Sequence, residues 1–129
     1  MITDTIDKQK DNLTSNELRD MSQNSMDIES HTLMHLDLRL LFYEQQLNTL
    51  AASKNTIESL IEKKVYCIAY PSGKYNRESI KATQDSGYKI AFTTHYGFAN
   101  KTNGLLTLNR IRIDSTDTLD IFSNKIIFN

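Results

Sequence analysis

Two histidines stand four residues apart in Ser30-His31-Thr32-Leu33-Met34-His35, and a third, His95, stands alone. On one helical turn, residues i and i+4 share a side, so both imidazoles of the pair could reach one ion. Neutral imidazole is a good zinc ligand, and catalytic zinc sites commonly use three protein ligands with one position left open. The same spacing also suits exposed or helix-capping histidines. The lone Cys67 allows no internal disulfide; in the apolar run 65–70 it reads as an inert core thiol rather than a nucleophile.

The surrounding pattern gives the pair a setting. Residues 1–12 are polar and irregular and read as a flexible N-terminal arm, ahead of a domain over 13–129. A helix starts near Thr14 or Ser15; Ser15 is followed three residues later by Leu18, so a capping box is not expected from it. Residues 26–29, Met-Asp-Ile-Glu, alternate apolar and polar and predict a short strand leading into the histidines. Tyr43, Leu47, Leu50, Ile57 and Ile61 recur at helical spacing, with Lys54 interrupting the stripe. Residues 65–70 predict a buried strand ended by Pro71 and Gly73, and Asn76 caps a helix to Ser86 with Gly87 at its C′ position. Further strands are expected over 88–94 and 106–113, and a final helix capped by Asp114 or Ser115. Strands alternating with helices predict an α/β architecture with mainly parallel strands, whose chemistry belongs at the strand ends.

Composition narrows the function classes. The chain has 129 residues, 15 basic against 16 acidic, and a net charge of -1, which argues against a polyanion binder such as a nucleic-acid protein. Lys63 and Lys64, at the end of a predicted helix, fit a helix-dipole role. No segment approaches the length of a membrane span, and no signal peptide is visible, so the chain taken literally is cytoplasmic.

Four ordered motifs add a resemblance. Ser25-Met26-Asp27-Ile28-Glu29-Ser30-His31-Thr32 resembles the strand-to-histidine segment of the polysaccharide deacetylase (NodB-homology) family, with Ser25 and Glu29 standing where glycines are usual. Ile68-Ala69-Tyr70-Pro71-Ser72-Gly73-Lys74-Tyr75-Asn76 is similar to its "F-A-Y-P-x-G-x-Y-N" segment. Ser86-Gly87-Tyr88-Lys89-Ile90-Ala91-Phe92-Thr93-Thr94 matches its "A-G-Y-x-x-A-F-T-T" strand, and Leu108-Asn109-Arg110-Ile111-Arg112-Ile113 its "L-x-R-I-R-I" strand.

The resemblance implies a partial, deformed (β/α) barrel and a hydrolase that removes acetyl groups from N-acetylated polysaccharide, commonly outside the cell. It implies a divalent metal, zinc in the usual case, held by His31 and His35. Tyr70, Pro71 and Ser72 would line the substrate groove, and His95, expected in the loop after the 88–94 strand, is either a general acid or a surface histidine. Glu29 is expected to add bulk and charge beside the metal. The family's "T-F-D-D-G" motif, which supplies the base and third ligand, has no counterpart here, since the sequence holds no adjacent aspartates. The chain therefore reads as truncated at its N-terminus, a gene fragment or one part of a split protein. It is expected to need a complementing N-terminal fragment, or to self-associate through open strand edges. The competing reading is a non-catalytic carbohydrate-binding or interaction remnant.

Overall fold

The computed structural model describes residues 12–127; the arm expected over 1–12 lies, apart from Asn12, outside the described residues. The first helix, α1 (Ser15–Gln23), is set by a reciprocal cap one residue earlier than Ser15: Glu17 N–H donates to Thr14 Oγ1 at 3.3 Å, and Thr14 N–H donates to the Glu17 carboxylate at 2.7 Å. The box is therefore complete, on Thr14 rather than Ser15. Arg19 Nε donates to Leu60 O at 3.0 Å and Leu18 packs on the core, which docks α1 against the next helix.

That helix, α2 (Tyr43–Ile61), follows the predicted stripe. Leu50 and Ile61 are buried, while Tyr43, Leu47 and Ile57 pack against the core from its margin. Lys54, which breaks the stripe, is accommodated by its own chemistry. Its ammonium donates to Val65 O, pairs with Glu58 at 3.1 Å and lies 5.2 Å from the Tyr88 ring centre, so only the aliphatic stem is asked to sit among apolar groups. Lys64 pairs with Glu58 at 3.2 Å and Lys63 donates to Ser22 O, so both lysines serve the helix junction.

Three parallel strands follow: β1 (Cys67–Ala69), β2 (Ile90–Tyr96) and β3 (Leu108–Arg110), in the order β1-β2-β3. Cys67 pairs with Ile90, Ala69 with Phe92, Phe92 with Leu108 and Tyr96 with Arg110. The helix α3 (Arg77–Asp85) links β1 to β2, starting at the Asn76 cap and ending before Gly87, whose φ of 84° favours glycine. A last helix, α4 (Leu119–Ile127), closes the described chain. Leu50, Val65, Ile68, Tyr70, Ala82 and Ala91, all fully buried, form the centre between helices and sheet. The α/β expectation with parallel strands holds; among the described residues the sheet has three strands and is open, in keeping with a partial barrel. Among the described residues no helix is long and apolar enough to cross a membrane.

Several strands are shorter or displaced. The strand expected over 26–29 is reduced to one parallel bridge between Ser30 and Ile68. Ser25, at φ 68°, bends the chain just before it, and the Glu29 carboxylate takes the N–H groups of Tyr66 and Cys67 (3.0 and 2.8 Å), where a paired strand would offer a backbone carbonyl. The final helix starts later than expected. Asp114 and Asp117 close a turn on each other, and Thr118 Oγ1 accepts from Ile121 N–H at 3.3 Å instead.

Candidate metal and substrate site

The site is assembled at the carboxyl end of β1. Ser30 is its anchor: its backbone N–H donates to Cys67 O at 3.2 Å, its carbonyl accepts from Ala69 N–H at 2.9 Å, and its buried hydroxyl bonds the Ser53 hydroxyl at 2.9 Å. From there residues 31–35 form no helix, contrary to the expectation of a shared helical turn. Thr32 and His35 take left-handed φ values of 66° and 52°, and this loop brings the imidazoles of His31 and His35 to 4.9 Å between ring centres, edge to face at 68°. The pair is close for a different geometric reason than i,i+4 spacing.

His31 is also oriented. Its Nδ1 lies 2.7 Å from Ala69 O, and because a carbonyl only accepts, Nδ1 carries the hydrogen. In the neutral ring Nε2 then keeps its lone pair, the arrangement found when a metal-binding histidine is fixed by a backbone carbonyl. Both rings are exposed. Two imidazoles so arranged fit as two donors of a zinc set. Among the described residues, no group of three or more His, Cys, Asp or Glu could hold one ion.

Two acidic neighbours of the histidines are held by other partners. Glu29 does not crowd the histidines; its carboxylate is committed to Tyr66 and Cys67 at the opposite end of β1. Asp37, unassigned from sequence, joins the histidine segment to the turn after β1, pairing with Arg39 at 2.8 Å and Lys74 at 3.4 Å. The Arg39 hydrogen bond, helped by Lys74, holds its carboxyl well below the usual range.

Of the three expected groove residues, Tyr70 and Pro71 are buried and only Ser72 exposes its side chain, at φ 52°. The Tyr70 hydroxyl donates to Leu106 O at 3.2 Å, and burial pushes its phenol up to about 12. Tyr70 is thus a core residue whose ring cannot face a ligand; the turn reaches solvent through Ser72. Gly73 has a structural reason: at φ 67° an added Cβ would fall 2.0 Å from Thr94 Oγ1. His95 lies inside β2, not in a loop after it, and is exposed, its ring centre 6.2 Å from that of Tyr75. Tyr75 in turn stacks on Tyr70 at 5.0 Å. Tyr75 was legible only as part of a motif. Its aromatic partner five residues earlier, across the Pro71–Gly73 turn, was the available signal.

Comparison with known proteins gives one consistent result. The family model described as polysaccharide deacetylase matches residues 1–91. YxkH of Bacillus subtilis strain 168, named for that activity, is 36% identical over 104 residues, 81% of this chain and 37% of its own length. The Streptococcus pyogenes deacetylase PplD, solved with acetate, superposes with a TM-score of 0.87 at 32% identity, covering 96% of this chain and 55% of PplD. A Bacillus cereus polysaccharide deacetylase gives 0.83 at 32% identity, over 97% of this chain and 40% of its own. The chain thus spans roughly two-fifths to just over half the length of these relatives. From sequence and fold together, it belongs to the polysaccharide deacetylase family.

Proposed function

We propose that the chain is part of a zinc-dependent N-deacetylase acting on N-acetylated polysaccharide, with His31 and His35 as two of the metal ligands. The observation that carries this reading is the His31 Nδ1 bond to Ala69 O beside a second imidazole at 4.9 Å, since it presents Nε2 as a donor. When bound, the metal would polarise the acetamide carbonyl and acidify water. The chain's own residues position the substrate. The Pro71–Gly73 turn borders the histidines, because Ala69, which holds His31, is followed directly by Tyr70 and Pro71. Its backbone could help receive the oxyanion of the tetrahedral intermediate. His95, exposed next to Tyr75, is the candidate general acid. The third ligand and the base would come from outside the described residues.

Zinc titration by calorimetry tests the ligand assignment. Wild type should bind zinc, and His31→Ala or His35→Ala should weaken binding at least tenfold; equal affinity in all three sinks the assignment. Acetate release from N-acetylglucosamine oligomers, with zinc added, then reads activity directly. Weak or absent release from this chain alone, restored by a second polypeptide bearing an aspartate pair, is the expected result.

The second reading is a non-catalytic carbohydrate-binding or interaction module. The two-donor set among the described residues favours it. Absence of zinc affinity together with retained oligosaccharide binding would decide for it.

A further inference from the structure

We propose that the cavity at the carboxyl ends of β2 and β3 is a subsite for a negatively charged substituent of the glycan, a carboxylate or a phosphate. The proposal rests on the glycan reading above and narrows its substrate class to acidic polymers. The cavity, about 330 Å³, is lined by Thr94, Arg110, Ile111, Arg112 and Ile113. That is the small end of the range for ligand sites, roughly 300–1,000 Å³, and suits one sugar unit rather than a length of polymer.

Its position follows from the sheet. His31 is held at Ala69, the last residue of β1; Thr94 lies near the end of β2; Arg110 is the last residue of β3. Because the three strands are parallel neighbours, all three groups lie along one edge of the sheet, where α/β proteins place their ligands. Two strand spacings, roughly 10 Å, separate β1 from β3. Thr94 also abuts Gly73, so the cavity adjoins the turn that carries Ser72.

The charges point to an anion. The lining holds two arginines and no acidic side chain. Arg112 is neutralised by Asp114 at 2.6 Å. Arg110 instead donates its Nε to the neutral Thr93 carbonyl at 2.7 Å, and among the described residues it has no ion-pair partner. That bond fixes the guanidinium plane and leaves both terminal amino groups for an incoming oxyacid, which arginine receives in a bidentate fork. Ile111 and Ile113 supply an apolar surface for the carbon face of the ring carrying that acid.

Calorimetric titration with a chelator present keeps metal and catalysis out of the measurement. The probes are an oligosaccharide alternating N-acetylglucosamine with glucuronate and its carboxyl-reduced neutral form. The acidic form should bind at least tenfold tighter, with the gap shrinking as salt is raised. Arg110→Gln should abolish the gap and Arg110→Lys retain part of it. Ile113→Glu, at a half-exposed rim position, should reverse the preference while leaving Arg110 and its Thr93 bond intact, and it serves should Arg110→Gln fail to fold. Competition by free glucuronate and by inorganic phosphate, run separately, shows which oxyacid the fork prefers. Equal affinity for the matched pair, or a preference that survives both Arg110→Gln and Ile113→Glu, overturns the subsite while leaving the glycan reading standing. Failure of both oligosaccharides, with free glucuronate or phosphate still bound through Arg110, overturns the glycan reading and keeps the anion site. Failure of every anion overturns the subsite.

Discussion

The histidine segment, residues 25–42, and the framework behind it, residues 43–85, are held in place by different means. The framework is α2, β1 and α3, whose shape comes from capped helices and whose stability comes from fully buried apolar groups such as Leu50, Val65 and Ile68. The histidine segment contains one 3₁₀ turn and little regular backbone pairing. Point contacts to the framework fix it instead: Ser30 on β1 and Ser53, Glu29 on Tyr66 and Cys67, His31 on Ala69, and Asp37 on Lys74. Leu38, fully buried, is its main apolar tether. The candidate site thus sits on the part of the chain whose geometry is borrowed, a common division between rigid scaffold and loop.

Breaking the framework should cost most. Leu50→Ala empties a fully buried position on α2 and should destabilise by about 2–5 kcal/mol, read from the urea midpoint at unchanged slope. A loss under about 1 kcal/mol would mean that the core near α2 relaxes and that the framework is no stiffer than the histidine segment. Gly73→Ala should come next, at about 2–3 kcal/mol, because it meets both a left-handed φ and Thr94 Oγ1; thermal unfolding measures it.

Releasing one latch should be milder and local. Glu29→Ala leaves the N–H groups of Tyr66 and Cys67 without their acceptor and should cost about 1–2 kcal/mol, with faster hydrogen exchange at those two amides. The His31 and His35 imidazole resonances should keep their wild-type positions, since Glu29 acts at the far end of β1. Large shifts there would show that the latches are coupled.

The smallest effect is one of pH. Glu58 accepts from Val65 N–H and pairs with Lys54 and Lys64, which hold its carboxyl down to about 2. A lowered folded value means stability that is full above the unfolded value of about 4.3 and lost as pH falls toward 2. Glu58→Gln should flatten the stability profile across that window and leave the neutral-pH zinc titration unmoved. A profile parallel to wild type would show that Glu58 does not contribute to the acid-side loss of stability.

Much of the framework was legible in the residues. The stripe from Tyr43 to Ile61 gave α2 its bounds, and Asn76 with Gly87 bracketed α3, because helix spacing and caps depend on residues within four positions of one another. The α/β alternation and the histidine pair were visible for the same reason. The reciprocal cap of Thr14 and Glu17 is equally local and lies one residue ahead of Ser15.

What tertiary structure decided lies between distant positions. The bond from His31 to Ala69 38 residues on, the turning away of Glu29 toward Tyr66 and the burial of Tyr70 under Leu106 all join segments far apart in the chain. The clustering of Thr94 and Arg110 at one sheet edge depends on strand order in the same way. Local pattern determines which elements form. Which side chains meet is set by how those elements pack, because a carbonyl or a cavity wall supplied from far along the chain leaves no spacing to read.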